Sequence, residues 1–450
     1  MRFVSLMAVL ALSACAPSAQ VSKARPTAAT EVSFAPLQGF APQGSSRSNA
    51  EIARDFLDLS FAMESGRSLS ILTRFEGPIS IRLSGSVPPT APRDLAVLIA
   101  RLQSEASLPI TASFDDDASI TVEFVPRAAL RQLAPQAACF VVPNVSSLAE
   151  YRSRRGSDEV DWGAVTRRTR AAIFVPADTS PQEVRDCLHE EIAQAIGPLN
   201  DLYRLPDSVF NDDNFNSVLT AFDMLILRIY YAPELQGGMT RNTAAALVPG
   251  LVARLNPAGA GMGSASAGPT PRAWTTAIET ALGRKGSTTA RLKAAERAVS
   301  LARSEGWDDN RLAFSYFALG RLSAGSDQTR ALGAFSAAAA IYVRQPGGEV
   351  HVAHIEMQLA AMALGTGSPT EAIRLADHAM PIAQRHENAA LLATLMLIKA
   401  EAMDRLGDTV GAAALRLDSQ PWARYGFGSD TVVKARMRDI AAVASGGGKG

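Results

Sequence analysis

Apolar residues recur along this chain at two different periods, and the change between them marks its organisation. From Asn49, the positions Ile52, Phe56, Leu59 and Met63 fall three or four apart and predict an amphipathic helix. Leu95, Leu98, Ile99 and Leu102 do the same within a helix over Arg93 to Glu105. Between and after them the period drops to two: Ile79, Ile81 and Leu83 predict a strand, and Ile110 to Phe114 and Ile120 to Phe124 alternate around Asp115-Asp116-Asp117. The last pair is expected to form a β-hairpin with an acidic, solvated turn, since a calcium loop of the EF-hand kind needs spaced ligands ending in Glu. Cys139 to Val142 and Ala171 to Val175 are two further strands. Ser180-Pro181-Gln182-Glu183 then opens a helix, with Ser as N-cap, Pro in the first turn and Glu at the capping-box position.

Beyond a Gly- and Pro-rich connector around Asn256 to Pro271, the pattern is helical and alanine-rich throughout. Gly325-Ser326, Gly367-Ser368 and Gly407-Asp408 break it at intervals near 40 residues, each between an apolar helix and a similar following run (Thr329 to Leu332, Thr370 to Ile373, Val410 to Ala413). Helix pairs recurring at this spacing resemble tetratricopeptide-like arrays with extended helices, and small residues such as Ala337 to Ala340 permit their close approach. Trp422 and Tyr425 to Gly428 are expected to cap the open end. His351 and His354 are three apart with no third ligand near, so they are assigned no metal.

Composition narrows the chemistry. The chain has 450 residues, 44 Lys+Arg against 44 Asp+Glu, three Cys and five His, four of them beyond residue 350. Zero net charge removes the usual drive onto nucleic acid, and so few Cys and His leave little for a metal framework. Residues 1–15 carry Arg2, an apolar run and Leu12-Ser13-Ala14-Cys15, the parts of a secretory signal. The tetrad resembles the bacterial lipobox, which implies lipidation of Cys15 and, with Ala16 following, the outer membrane. Residues 16–48 are expected to be a flexible tether. With Cys15 lipidated, Cys139 and Cys187 are the remaining thiols, and an oxidising envelope favours a disulfide between them over two free buried thiols.

The helix after Ser180 contains His189-Glu190, the start of the zinc-protease motif H-E-x-x-H, but the second histidine position is Ala193. One residue on, Glu190, Glu191, Gln194, Gly197 and Asn200 occupy the places of H-E-x-x-H-x-x-G-x-x-H, with all three ligand histidines replaced and the general-base Glu and the glycine kept. Carboxylate and amide oxygens are poor substitutes for imidazoles at zinc.

Cys187-Leu188-His189-Glu190-Glu191, Gln194 to Gly197, Asn200-Asp201, Leu205 to Asp212, Asp223 to Leu225, Tyr230 to Glu234 and Gly238 to Thr240 resemble an uncharacterised group of proteobacterial, often lipoprotein, sequences carrying a domain of unknown function. The likeness spans about 70–240 and is also similar to the zincin layout: a mixed sheet, an edge strand, the motif helix, then a helix bearing Asp and ending in tyrosine. It implies an envelope location and no established activity.

The expected architecture is an α+β zincin-like domain with a mixed sheet (49–250), a linker (251–272) and an all-α helical-repeat, tetratricopeptide-like domain (273–445). Three readings of the motif helix stay open. His189, Glu190, Glu191, Gln194 and Asn200 line a cleft that binds a peptide without cutting it. Alternatively, Glu191 is the base of a hydrolase with ligands such as His189, Asp201, Asp212 or Asp213. In the third, the charges are a solvated face and packing network. The first is preferred: a non-catalytic scaffold with no cofactor, anchored to the membrane through Cys15 and meeting a protein partner through its repeats.

Overall fold

A computed structural model describes residues 47–135, 137–264 and 268–446. The expected signal peptide (1–15, with Cys15) and the expected tether up to residue 46 lie outside the described residues. The chain divides at 267/268 into two compact units, an α/β unit with a mixed five-stranded sheet and an all-helical unit. Among the described residues no helix is long and apolar enough to cross a membrane.

The first unit begins earlier than the tether pattern implies. Ser48 is the N-cap of α1 (Asn49–Ser60), its side chain and that of Glu51 closing a capping box. Ile52, Phe56 and Leu59 of α1 are fully buried. Arg47, 7% exposed, pairs with Asp207 and Asp55. There follow β1 (Ile79–Gly85), α2 (Ala91–Ala106), β2 (Ile110–Ala112), β3 (Ile120–Val125), α3 (Arg127–Leu133), β4 (Phe140–Pro143), α4 (Leu148–Arg154), β5 (Ala171–Pro176), α5 (Pro181–Ile196), α6 (Ala221–Tyr230) and α7 (Arg241–Leu255).

The strand order is β2-β1-β3-β5-β4, parallel except for the edge pair β4–β5. The two central strands β3 and β5 are buried almost throughout, because helices cover both faces. Ile120, Val122, Phe124, Ile173 and Val175 point into the larger core with α1, α2, α5, α6 and α7; Val125, Ala172 and Phe174 point into a smaller one with α3 and α4.

The hairpin expected around Asp115-Asp116-Asp117 does not form. β2 and β3 both run parallel to β1 and flank it. Ala112 and Ile120 are both level with Ile81, so β3 starts where β2 stops and the chain only has to step sideways across β1. Arg82 of β1, bonded to Asp116 and Thr121, and Ser80, bonded to Ser119, hold that step down. Burial of β3 demands a ladder on each edge, and β1 and β5 supply both.

The linker also starts later than 251. Helix α7 continues through Leu255, with Leu251 and Val252 in the core, and Asn256 bonds Arg47 O and Asn49.

The second unit consists of α8 (Arg272–Leu282), α9 (Thr288–Ser304), α10 (Asn310–Ser323), α11 (Gln328–Tyr342), α12 (Glu349–Gly365), α13 (Pro369–Arg385), α14 (Ala389–Arg405), α15 (Thr409–Phe427) and α16 (Asp430–Gly446). The three Gly-marked breaks fall between α10 and α11, α12 and α13, and α14 and α15, and α8–α9 adds a hairpin that the sequence pattern did not mark. A β-carbon on Gly320 would lie 2.7 Å from the Phe335 ring, so the glycine is what lets α10 and α11 touch. Trp422 and Tyr425 to Gly428 do not end the array as expected. They belong to α15 and its C-cap, and α16 follows, packing on α12 and α14. His351 is fully buried and stacked on Tyr342, ring centroids 4.3 Å apart, and His354 Nε2 lies 3.4 Å from Asn388 Nδ2.

Candidate functional site

The motif helix α5 starts at the expected Ser180 N-cap, but Glu183 does not close the expected capping box. Ser180 accepts from Glu183 N, Pro181 occupies the first turn, and the Glu183 carboxylate pairs with Arg127. Cys187, one turn and a half in, is bonded to Cys139, the residue just before β4, so a disulfide ties the helix to the antiparallel edge of the sheet. At its other end Pro198 offers no N–H to Gln194 O, and the helix needs outside donors. Arg168, 3% exposed, supplies them: Nη1 donates to Gln194 O and Ala195 O, both at 2.8 Å. The Tyr231 hydroxyl donates to Ile196 O at 2.8 Å. Gly197 stands where a β-carbon would come 2.7 Å from Leu227 Cδ2 and 3.0 Å from Ala193 O, so the glycine eases the approach of α6 to the helix end.

The candidate residues do not share one cleft. His189 is 3% exposed, and its Nδ1 accepts from Leu219 N at 3.1 Å. Burial, then Arg101 and Arg185, hold this imidazole well below its ordinary pKa. It is a neutral packing residue on the side of the loop before α6. Asn200 donates to Asp58 O at 2.9 Å. Asp213, 7% exposed, is absorbed into its own loop by Asn211 and Phe215 N.

Glu190, Glu191, Gln194, Asp201 and Asp212 do gather, and a residue absent from the sequence reading joins them. Leu199 pairs with Met63 in a parallel bridge and its carbonyl accepts from Glu64 N, which lays the segment after α1 alongside the end of the motif. Glu64 thereby receives a hydrogen bond from Gln194 Nε2 at 3.3 Å. Oxygens of Glu64, Asp201 and Asp212 lie within 4.8 Å of one another. The loop that carries the two aspartates is pinned by buried Asp223, which accepts from Ser208 Oγ at 2.5 Å, Thr220 N at 2.8 Å and Val209 N at 3.1 Å. Nothing in the pattern around Glu64 marks it; only the bridge 135 residues away brings it here.

This is a concentration of negative charge behind a solvent-facing mouth. Glu64 and Asp212 are exposed, Asp201 and Glu190 half-buried, and Glu191 is 4% exposed. Burial, then Glu64, Asp212 and Asp186, pushes Glu190 up to about 8. Burial and the neighbouring carboxylates raise Glu191 and Asp201 well above the usual range, and burial raises Glu64. Glu191 Oε2 and Asp201 Oδ1 are buried without a hydrogen-bond partner.

The zinc that a zincin layout implies does not fit this donor set. Zinc sites rest mainly on imidazole and thiolate, with a carboxylate joining histidines in some catalytic ones, and here the gathered donors are carboxylates and one amide, with the helix's histidine engaged elsewhere.

No curated protein and no solved structure matches the chain. Residues 49–250 match a family model described as a protein of unknown function (DUF2927), a span that contains the α/β sheet, the disulfide and every residue of the acidic cluster.

Proposed function

We propose that this chain is a cell-envelope lipoprotein, anchored through Cys15 in the outer membrane and facing the periplasm. In this reading its 49–250 domain is a zincin-like module that binds without cutting, and its helical repeats dock a protein partner. The observation that carries the proposal is the replacement of all three ligand positions by Glu190, Gln194 and Asn200, with His189 turned to Leu219 N. The mixed sheet with an antiparallel edge strand beside the motif helix agrees with the zincin layout. The Cys139–Cys187 bridge agrees with an oxidising compartment. Stacked helix pairs offer extended surfaces and no catalytic machinery, which suits an adaptor.

A hydrolase using Glu191 as general base is the second reading, favoured by one observation: Asp201 and Asp212, two of its candidate ligands, meet at the same place. One experiment separates the two. Cells carry the parent chain, Glu191→Gln or a chain lacking residues 272–446, and partners are captured by in vivo cross-linking. The binding reading expects one set of partners with the parent, retained by Glu191→Gln and lost without the repeats. Accumulation of an uncleaved protein in the Glu191→Gln strain alone would establish the hydrolase instead. For the anchor, fatty-acid labelling of the parent and its loss in Cys15→Ser is the expected result; an unlabelled parent overturns that part.

A further inference from the structure

The acidic cluster is unusual in what faces it. Charges that act on Glu190, Glu191 and Asp201 are other carboxylates. The guanidinium of Arg204, on the same loop as Asp201, is committed to Asp55 and Asp58, at 2.6 and 2.8 Å. A buried carboxylate oxygen with no donor costs the full desolvation of that group, and here there are two, Glu191 Oε2 and Asp201 Oδ1. A cluster of acids alone is an ordinary surface feature; two orphaned buried oxygens behind it are not.

We propose that Glu64, Asp201 and Asp212, backed by Glu191, form a binding site for a hard divalent cation of the calcium class.

Three features choose the cation. All donors are oxygens, which suits calcium or magnesium and not zinc. Oxygens on opposite sides of a calcium ion, each at roughly 2.4 Å, are about 4.8 Å apart, against about 4.2 Å across magnesium. The carboxylate oxygens here lie within 4.8 Å of one another, so a single ion can reach all three. Its mouth is open, since Glu64 and Asp212 are exposed, and water can complete a shell of six to eight oxygens as calcium requires. The loop carrying Asp201 and Asp212 and the segment carrying Glu64 come from opposite ends of the domain, so a bound ion would clamp the segment after α1 to the end of the motif helix. The site does not depend on the scaffold reading: a partner-binding protein without calcium, and a calcium-binding one without the proposed partner, are distinguishable results.

The test uses the full chain purified in detergent, stripped with EGTA and titrated calorimetrically with CaCl2, MgCl2 or ZnCl2. Expected is one saturable calcium site per chain, weaker magnesium binding, no zinc at this site, and a calcium-dependent rise in the unfolding temperature. Asp201→Asn and Asp212→Asn each weaken calcium binding at least about tenfold, the loss of one formal ligand charge. Both replacements are isosteric and relieve like-charge repulsion, so the stripped variants unfold no earlier than the parent. Asp116→Asn on the exposed turn leaves calcium binding unchanged. Absence of saturable calcium binding up to about 10 mM, above the roughly 1 mM of the weakest extracellular sites, overturns the proposal. So does calcium binding that survives Glu64→Gln combined with Asp201→Asn.

Discussion

Replacing Arg168 by methionine removes the donors that finish the motif helix while keeping most of the volume of the side-chain stem. In the parent, Nη1 serves Gln194 O and Ala195 O, Nε reaches Thr73 Oγ1 at 3.1 Å and Nη2 reaches the Tyr230 hydroxyl at 3.3 Å. The guanidinium also lies over the Trp162 ring, 4.9 Å from its centroid. Pro198 cannot take over for Gln194 O, and both carbonyls are sealed under a side chain only 3% exposed. Each orphaned carbonyl costs about 1–3 kcal/mol, and loss of a cation from a helix C-terminus adds roughly 0.3–2 kcal/mol. About 4 kcal/mol is the expected destabilisation, which for a unit of this size lowers Tm by about 8–16 °C. Hydrogen exchange read peptide by peptide under mild urea is the assay, because it separates the two units. Protection should fall in peptides of α5 and β5 and stay unchanged in α12 and α13. Arg168→Lys should recover part of the loss, since an ammonium can serve one or both carbonyls but cannot also span Thr73 and Tyr230. A loss below about 1 kcal/mol for the methionine variant, or an equal loss across both units, refutes the assignment of Arg168 as the C-terminal anchor of the helix.

Further outcomes follow from other parts of the molecule. Reduction of Cys139–Cys187, or its double replacement by alanine, opens a loop of 48 residues and should cost about 3–4 kcal/mol, measured by urea unfolding with and without reductant; free thiols in protein prepared without reductant would contradict the pairing. In the cation-free protein the folded state holds a proton on Glu190 that the unfolded chain releases above pH 4.5, so Glu190's contribution to stability is present at pH 4.5 and lost as pH rises to about 8. The difference in unfolding free energy between the parent and Glu190→Gln, followed in EGTA from pH 5 to pH 8, should therefore move in favour of the glutamine variant; a constant difference removes the buried, charge-crowded environment given to Glu190. Gly320→Val must displace Phe335 and should destabilise the helical unit by roughly 1–3 kcal/mol, visible as lost exchange protection in α10 and α11.

Much of the helical framework was legible because its determinants are local. Ser180 caps the helix it precedes, Ile52, Phe56 and Leu59 fall on one face, and Gly325, Gly367 and Gly407 stand at the turns between paired helices. The disulfide was legible for a different reason, that two cysteines were left to pair. Periodicity could find β2 and β3 but not their partners: alternation is identical in a hairpin and in a parallel step, and only the shared level of Ala112 and Ile120 beside Ile81 decided it.

The same division runs through the site. That carboxylate and amide side chains stand at 190, 194 and 200 is a property of the sequence, and so is their poor suitability for zinc. Which acids would stand together was decided by tertiary structure. Met63 bridges Leu199 and brings in Glu64, the Asp223-pinned loop presents Asp212, and His189 and Asp213 are withdrawn into packing. Hydrophobic period and capping act over three or four residues and so leave a mark in the order of amino acids. Repulsion among carboxylates 64, 190, 191, 201 and 212 depends on distances through space, which exist only once the sheet and the helices have closed around them.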